Sequence, residues 1–533
     1  QLSLIKTESR SGNTPEISLS QIYCTWRPQT NATALDRIEV LKLFSKEYPD
    51  SIVSLLHSLI MTHNPYISPS PRYKWRNEED QYKVATPEEV NNVERELWEM
   101  LIALSSQNIS YATRLLEGIH FSHADKPSLD TIMNLMISLK DRASEEEKEV
   151  IADILRRKIS THELIHKAEV ATPQWTIINK IEEMLSHFTP NDRLLKHKWL
   201  FNAWSFPIQG FLPYENSEQY HQKAMEMREE ALDAVLSEGG TDLLEELVLL
   251  SNTPDTIGAT IAHKADFFLI DWIVQQLPDA EPDSKMQKMI SGFLRYRHTS
   301  TVPETLRQIV SLGTQANWHD SAFVSLFLLA PQSNESWGVL DTLNENIQAK
   351  YWEQVSPDYL YHWEVTFDYF VAKMIAARRP RTALNTVHLL IDELPASKLF
   401  ELLKSAMYVD TDDVPLSFSD YYWEKMLERF ECDPSIPEDE LVIVELHLLD
   451  ILNYGQKYPT LFKRYTSDPI FFTEAIDAVY KTDDENRIAS TLPERVKRLY
   501  RNVICKCNLL PGQSEDSFVD RDKFIKFVDS VFS

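Results

Sequence analysis

The sequence predicts an all-α fold, an irregular α-solenoid of stacked antiparallel helical hairpins of a degenerate TPR/HEAT-like kind. Three observations predict it: apolar residues recur at helical spacing along most of the 533 residues, the breaks between those segments are short, and only 11 residues are glycine. A chain of this length exceeds what one hydrophobic core serves, so several bundles or a repeat array are expected. Each hairpin offers one apolar face that it cannot bury alone, and stacking on neighbours is the way to cover it.

The elements follow in order. Residues 1–62 read as an N-terminal segment and a first hairpin, with Ile52, Leu55, Leu56, Leu59 and Ile60 at i, i+3, i+4, i+7 and i+8. Residues 63–89 read as a proline- and aromatic-rich loop. A helical sub-bundle is expected over 90–204, carried by "VERELWEMLIALSS", "LDTIMNLMISL" and "KEVIADILRRKI", and a second over 205–408, carried by "MREEALDAVLSE", "LLEELVLLS" and the stripe Phe367, Phe370, Val371, Met374 and Ile375. A C-terminal sub-bundle occupies 409–533. Its run "ELVIVELHLLDIL" at 440–452 is the hardest to assign; its length and the spacing of Val444, Leu448, Ile451 and Leu452 favour a buried helix.

Breaks such as "YPD" (48–50), "SEGGTD" (237–242), "SNTPD" (251–255) and "PDAEPDS" (278–284) set Ser, Thr or Asp beside Pro or Glu ahead of the next apolar run, the arrangement that caps helix amides. "AARRPRTAL" at 376–384 reads as a hairpin corner. Alanines close the first helix, arginines suit its negative end, Pro380 starts the next turn, and Leu384, Val387 and Ile391 carry the second stripe. Ala376, Ala377 and Ala383 are small where two helices approach.

Against 54 Lys and Arg stand 81 Asp and Glu, a formal charge of −27, which repels phosphate polyanions. A basic protein partner is expected and nucleic acid is not; an RNA-binding repeat would need a groove built from Arg72, Lys74, Arg76 and the arginines of 378–381. Cys24, Cys432, Cys505 and Cys507 form no CxxC pair and read as reduced thiols in a cytoplasmic chain. No apolar run approaches the ~18 residues of a membrane span, and the start, without Met or a signal-like run, reads as that of a fragment of a longer protein.

Few patterns carry chemistry. "HELIH" at 162–166 matches HExxH, in which His162 and His166 share a helix face and can bind zinc while Glu163 acts as base. Lys167 stands where zinc-peptidase helices carry an uncharged residue, no Gly-x-x-His follows, and only Glu182 or Glu183 offers a third ligand. Five residues of common types match by chance often enough that the bland reading, a pair of surface histidines, is preferred, and no metal or other cofactor is expected. GxxxxGK[ST], GxGxxG and GxSxG are absent, and "DTDD" at 410–413 lacks EF-hand spacing. Clusters of Trp and Tyr, "WLFNAW" (199–204), "KYWEQVSPDYLYHW" (350–363) and "DYYWEKM" (420–426), read first as wedges between helices. The interaction candidates are Arg72, Tyr73 and Trp75 of "PRYKWR", where rings and cations meet in a proline-rich loop.

A set of strings spanning most of the chain resembles the helical-repeat region of large multi-domain bacterial proteins linked to phage defence, many with a STAND-type NTPase. These are "WRPQTNATALDRIEVLKLFSKEYPDSIVSLLHSLI", "PRYKWR", "FTPNDRLLKHKWLF", "MREEALDAVLSEGG", "KYWEQV", "RRPRTAL", "YPTLFKRYTSDPIFFTEAIDAVYK" and "LLPGQSEDSFVDRDKFIKFV". The resemblance implies a non-enzymatic scaffold or target sensor whose partner is a protein, possibilities including a phage protein and self-association. It places nucleotide hydrolysis and any effector outside this region.

Overall fold

A computed structural model of the chain describes residues 15–26, 30, 32–61, 85–119, 129–167, 175–208, 217–264, 268–296, 301–357, 367–408, 414–417, 419–448, 459–480 and 521–532. Among these the regular elements are all helices. They fall into two compact units, Gln1–Trp272 with Ala280–Tyr296, and Ile273–Asp279 with Arg297–Ser533.

The first unit opens with α1 (Pro15–Ile22), α2 (Ala34–Glu47), α3 (Pro49–Met61), α4 (Pro87–Ser105), α5 (Ile109–Gly118), α6 (Leu129–Leu139), α7 (Glu145–Lys167), α8 (Trp175–Phe188) and the single turn α9 (Leu195–Lys198). Proline or a polar cap starts many of them. Thr33 and Thr86 form capping boxes with Asp36 and Glu89, each threonine hydroxyl taking an amide and each carboxylate answering the cap amide. The stripe Ile52, Leu55, Leu56 and Ile60 is buried as the spacing requires, with Leu59 half-buried, and it joins one apolar core that runs from Ile38 to Phe188.

The unit continues with α10 (Ser217–Leu250), α11 (Pro254–Lys264), α12 (Phe268–Gln276), whose end passes to the second unit, and α13 (Lys285–Arg295). The break read at "SEGGTD" is real. Gly240, at φ 64° and ψ −150°, divides α10 into two helices by a backbone state that only glycine reaches readily. Beyond it, α11 is buried nearly all round, from Thr256 through Ala262. It crosses α13 at a pair of glycines. A Cβ on Gly258 would lie 1.9 Å from the Met289 carbonyl oxygen, and one on Gly292 would lie 2.1 Å from that of Asp255.

The second unit holds α14 (Val302–Gln315), α15 (Asp320–Leu329), α16 (Asn334–Leu340), α17 (Glu345–Gln354), α18 (Phe367–Ala376), α19 (Pro380–Val387), α20 (Ala396–Tyr408), α21 (Asp420–Cys432), α22 (Glu438–Leu448), α23 (Pro459–Ser467), α24 (Pro469–Tyr480) and α25 (Arg521–Phe532). The ambiguous run is thus helical over 438–448, and its remaining residues lie outside those described. In both units, substantial contacts join helices that are neighbours in sequence or separated by one or two others. None of the described helices is long and apolar enough to cross a membrane.

Candidate functional site

The corner at 376–384 shows what the basic residues do. Helix α18 ends in a Schellman turn: the Arg378 amide donates to Ile375 O (2.9 Å) and the Arg379 amide to Met374 O (2.8 Å). Arg378 itself takes the left-handed position with φ 59°, a place that glycine fills at less cost. Arg378→Gly is therefore expected to raise stability by about 0.5–1 kcal/mol, read as a higher urea midpoint at unchanged slope; a lower midpoint would contradict this account of the corner. Pro380 occupies the first helical position, and Ala383, Leu384, Val387 and Ile391 are buried. Ala376 and Ile375 are exposed, so the close approach of α18 and α19 rests on Ala383 rather than on all three alanines.

The other two arginines reach past their own hairpin. Arg379 Nη1 donates to Trp352 O (3.0 Å) and Val355 O (2.6 Å) at the end of α17, and Arg381 Nε donates to Ala406 O (3.0 Å) near the end of α20. The same device recurs along the chain. Arg142 binds Ser106 O and Gln107 O after α4, Lys158 binds Glu117 O and Ile119 O after α5, and Lys285 binds Leu249 O at the end of α10. Arg429 does so at Leu394 O, after the 3-10 turn His388–Leu390. The last carbonyls of a helix lack partners and carry its negative pole, so a cation satisfies both needs. At these ends a cation serves where many helices use a glycine. Burial foremost, with Arg157 adding, pulls the Lys158 amine down to about 8, so the cation at this helix end gives up its charge as pH rises through that value.

"WLFNAW" folds into an irregular turn pinned from behind. Arg228 on α10, almost wholly buried, donates through Nε to Leu200 O (3.0 Å) and through Nη2 to Ala203 O (2.9 Å) and Trp204 O (3.0 Å). Tyr220 exchanges hydrogen bonds with both backbone groups of Phe206, and the Arg156 guanidinium sits 4.0 Å from the Trp199 ring centroid. Trp204 ends 42% exposed against Tyr296, 54% exposed, with its Nε1 on Asp255 (3.1 Å). The other clusters divide in the same way. Trp337, Tyr351, Trp352 and Phe370 are buried between α16, α17 and α18, with Trp337 Nε1 on the Tyr351 hydroxyl (2.9 Å). Trp423 is buried, Tyr421 is exposed, and Tyr422 stands edge-on to His388 at 4.9 Å. Of the cluster rings among the described residues, Phe201, Tyr351, Trp352 and Trp423 are buried wedges; Tyr359, Tyr361 and Trp363 lie outside the described residues.

The residues singled out for chemistry are placed less fully. Arg72, Tyr73 and Trp75 lie outside the described residues, as does "DTDD". The α7 backbone continues as helix through His162, Glu163 and His166 to Lys167, while their side chains are outside those described. Among the described residues no three His, Cys, Asp or Glu side chains gather as a metal would need. Sequence reasoning passed over Glu445, a fully buried carboxyl on α22 whose Oε2 accepts the Leu461 amide at 2.6 Å. The signal was present, a lone acid inside "LVIVELHLL", in a run read only for its helical spacing.

The described architecture and its capped corners define an all-helical protein. Compared with models of protein families, with curated proteins and with solved structures, the chain matches none.

Proposed function

We propose that the chain is a non-enzymatic protein-interaction scaffold or target-sensing helical repeat, an irregular solenoid of stacked hairpins belonging to a larger cytoplasmic antiphage defence protein of bacteria. The observation that carries this reading is the contact pattern: within each unit, helices pack on their sequence neighbours, which is how repeat arrays bury their faces while leaving long surfaces open. Charge supports the choice of partner. Several of the Lys and Arg residues are engaged on backbone carbonyls, and the excess of 81 acids over 54 bases sets the sign of the outer field, which favours a basic protein surface over nucleic acid. Calorimetric titration of the purified chain with individual phage structural proteins tests it. Saturable binding that weakens from 50 to 300 mM salt is expected, and no binding across such a panel, with no self-association in sedimentation, would defeat the reading.

A second reading, a zinc-dependent hydrolase centred on His162, Glu163 and His166, is favoured by one observation, the unbroken helix through those positions. It requires stoichiometric zinc in chelator-free protein that His166→Ala removes. Metal-free protein that does not take up added zinc ends it.

A further inference from the structure

Glu445 differs from every other described acid in the second unit. It is fully buried, on a helix that also buries Leu441, Val442, Val444, Leu446 and Leu448. Its Oε2 takes the amide of Leu461 in the first turn of α23, Thr460 adds hydrogen bonds, and Oε1 has no partner among the described residues. A carboxyl so placed closes the N-terminus of α23 from a neighbouring helix, where an acid suits the positive pole.

Among the described residues the surrounding charges do not compensate it. On α23, Lys463 pairs with Glu438 (3.4 Å), and Arg464 with Asp439 (2.8 Å) and Asp468 (2.7 Å). On α21, Arg429 is engaged on Leu394 O, Glu424 and Glu428 face solvent, and Glu431 acts on Glu445 as a like charge. On α22 itself, Glu440 pairs with Lys404 and His447 Nδ1 meets Ile443 O. An ionised carboxylate here would be buried without a cation, which is costly unless water reaches it.

We propose that the α22–α23 joint is a proton-operated latch: protonated Glu445 stays buried and holds the first turn of α23, and loss of the proton drives the joint to open toward water. Burial pushes this carboxyl up to about 7 against the pull of the Leu461 hydrogen bond, and Glu431 adds to the rise. A free glutamate titrates near 4.3. Between those values the closed joint keeps a proton that the opened joint gives up, so closure weakens as pH rises across that window.

The test is amide hydrogen exchange of the full chain between pH 5.5 and 8, corrected for intrinsic rates, in the regime where closing outruns exchange. The Leu461 amide should lose about tenfold in protection between pH 5.5 and 7 and level off above 8, while that of Leu56 in the first unit serves as the unchanging control. Glu445→Gln keeps a carbonyl acceptor without the titration and should flatten the Leu461 profile. A flat profile in the unaltered protein overturns the proposal, and so does the same slope in the glutamine variant. Because the unaltered chain supplies the primary readout, poor folding of the variant leaves the proposal decidable.

Discussion

Gly258→Ala is expected to destabilise the first unit by about 3 kcal/mol or more, its added methyl making the shortest contact of any described glycine's. The reason is what the methyl would meet: Met289 O at 1.9 Å and Phe293 N at 2.5 Å, both backbone atoms of α13 that no rotamer change can withdraw. Relief requires the two helices to separate, which uncovers the packing of Met289, Ile290 and Phe293, all fully buried. Gly292→Ala should cost a similar amount, because its methyl meets Asp255 O at 2.1 Å. The double variant should cost less than the sum, since one separation serves both methyls. Urea unfolding followed by far-ultraviolet circular dichroism reads all three. A loss under 1 kcal/mol for Gly258→Ala would mean that α11 and α13 are not in this close crossing.

Arg228→Met is the second. It leaves the carbonyls of Leu200, Ala203 and Trp204 without this donor, the first on a buried residue and the other two on exposed ones, and it removes the guanidinium 5.1 Å from the Phe206 ring centroid. A loss of about 1–3 kcal/mol is expected. Arg228→Lys should recover little, because a single ammonium cannot reproduce the forked geometry of three bonds. Hydrogen exchange at 199–206 should rise in both variants, and full recovery by lysine would show that charge, not the fork, holds the turn.

The helical class was legible because its cause is local. Periodicity at 3.6 residues, caps at Thr33 and Thr86 and the proline at 380 each act within a few positions of the residues that reveal them. The corner at 376–384 was legible for the same reason, but the reach of Arg379 to Trp352 and of Arg381 to Ala406 was not, since nothing local marks which distant carbonyl a long cation will find. The glycine crossing left a faint sign. Gly258 and Gly292 each stand inside an apolar helix, where glycine costs about 1 kcal/mol relative to alanine and so asks for a packing reason; the general shortage of glycine drew attention to corners instead. Glu445 shows the converse, an acid whose meaning depends on burial that spacing cannot convey. The candidate interaction residues Arg72, Tyr73 and Trp75 belong to a stretch of sequence rich in proline that carries no periodic signal.

The cation caps also impose an order of events during synthesis. Arg142 follows Ser106 by 36 residues, Lys158 follows Glu117 by 41, Lys285 follows Leu249 by 36 and Arg379 follows Trp352 by 27. Each of those helix ends therefore waits, on a growing chain, for the residue that will complete it to leave the ribosome. At these four ends assembly from the amino end is then paced by the polypeptide itself, a later segment finishing the helix made before it.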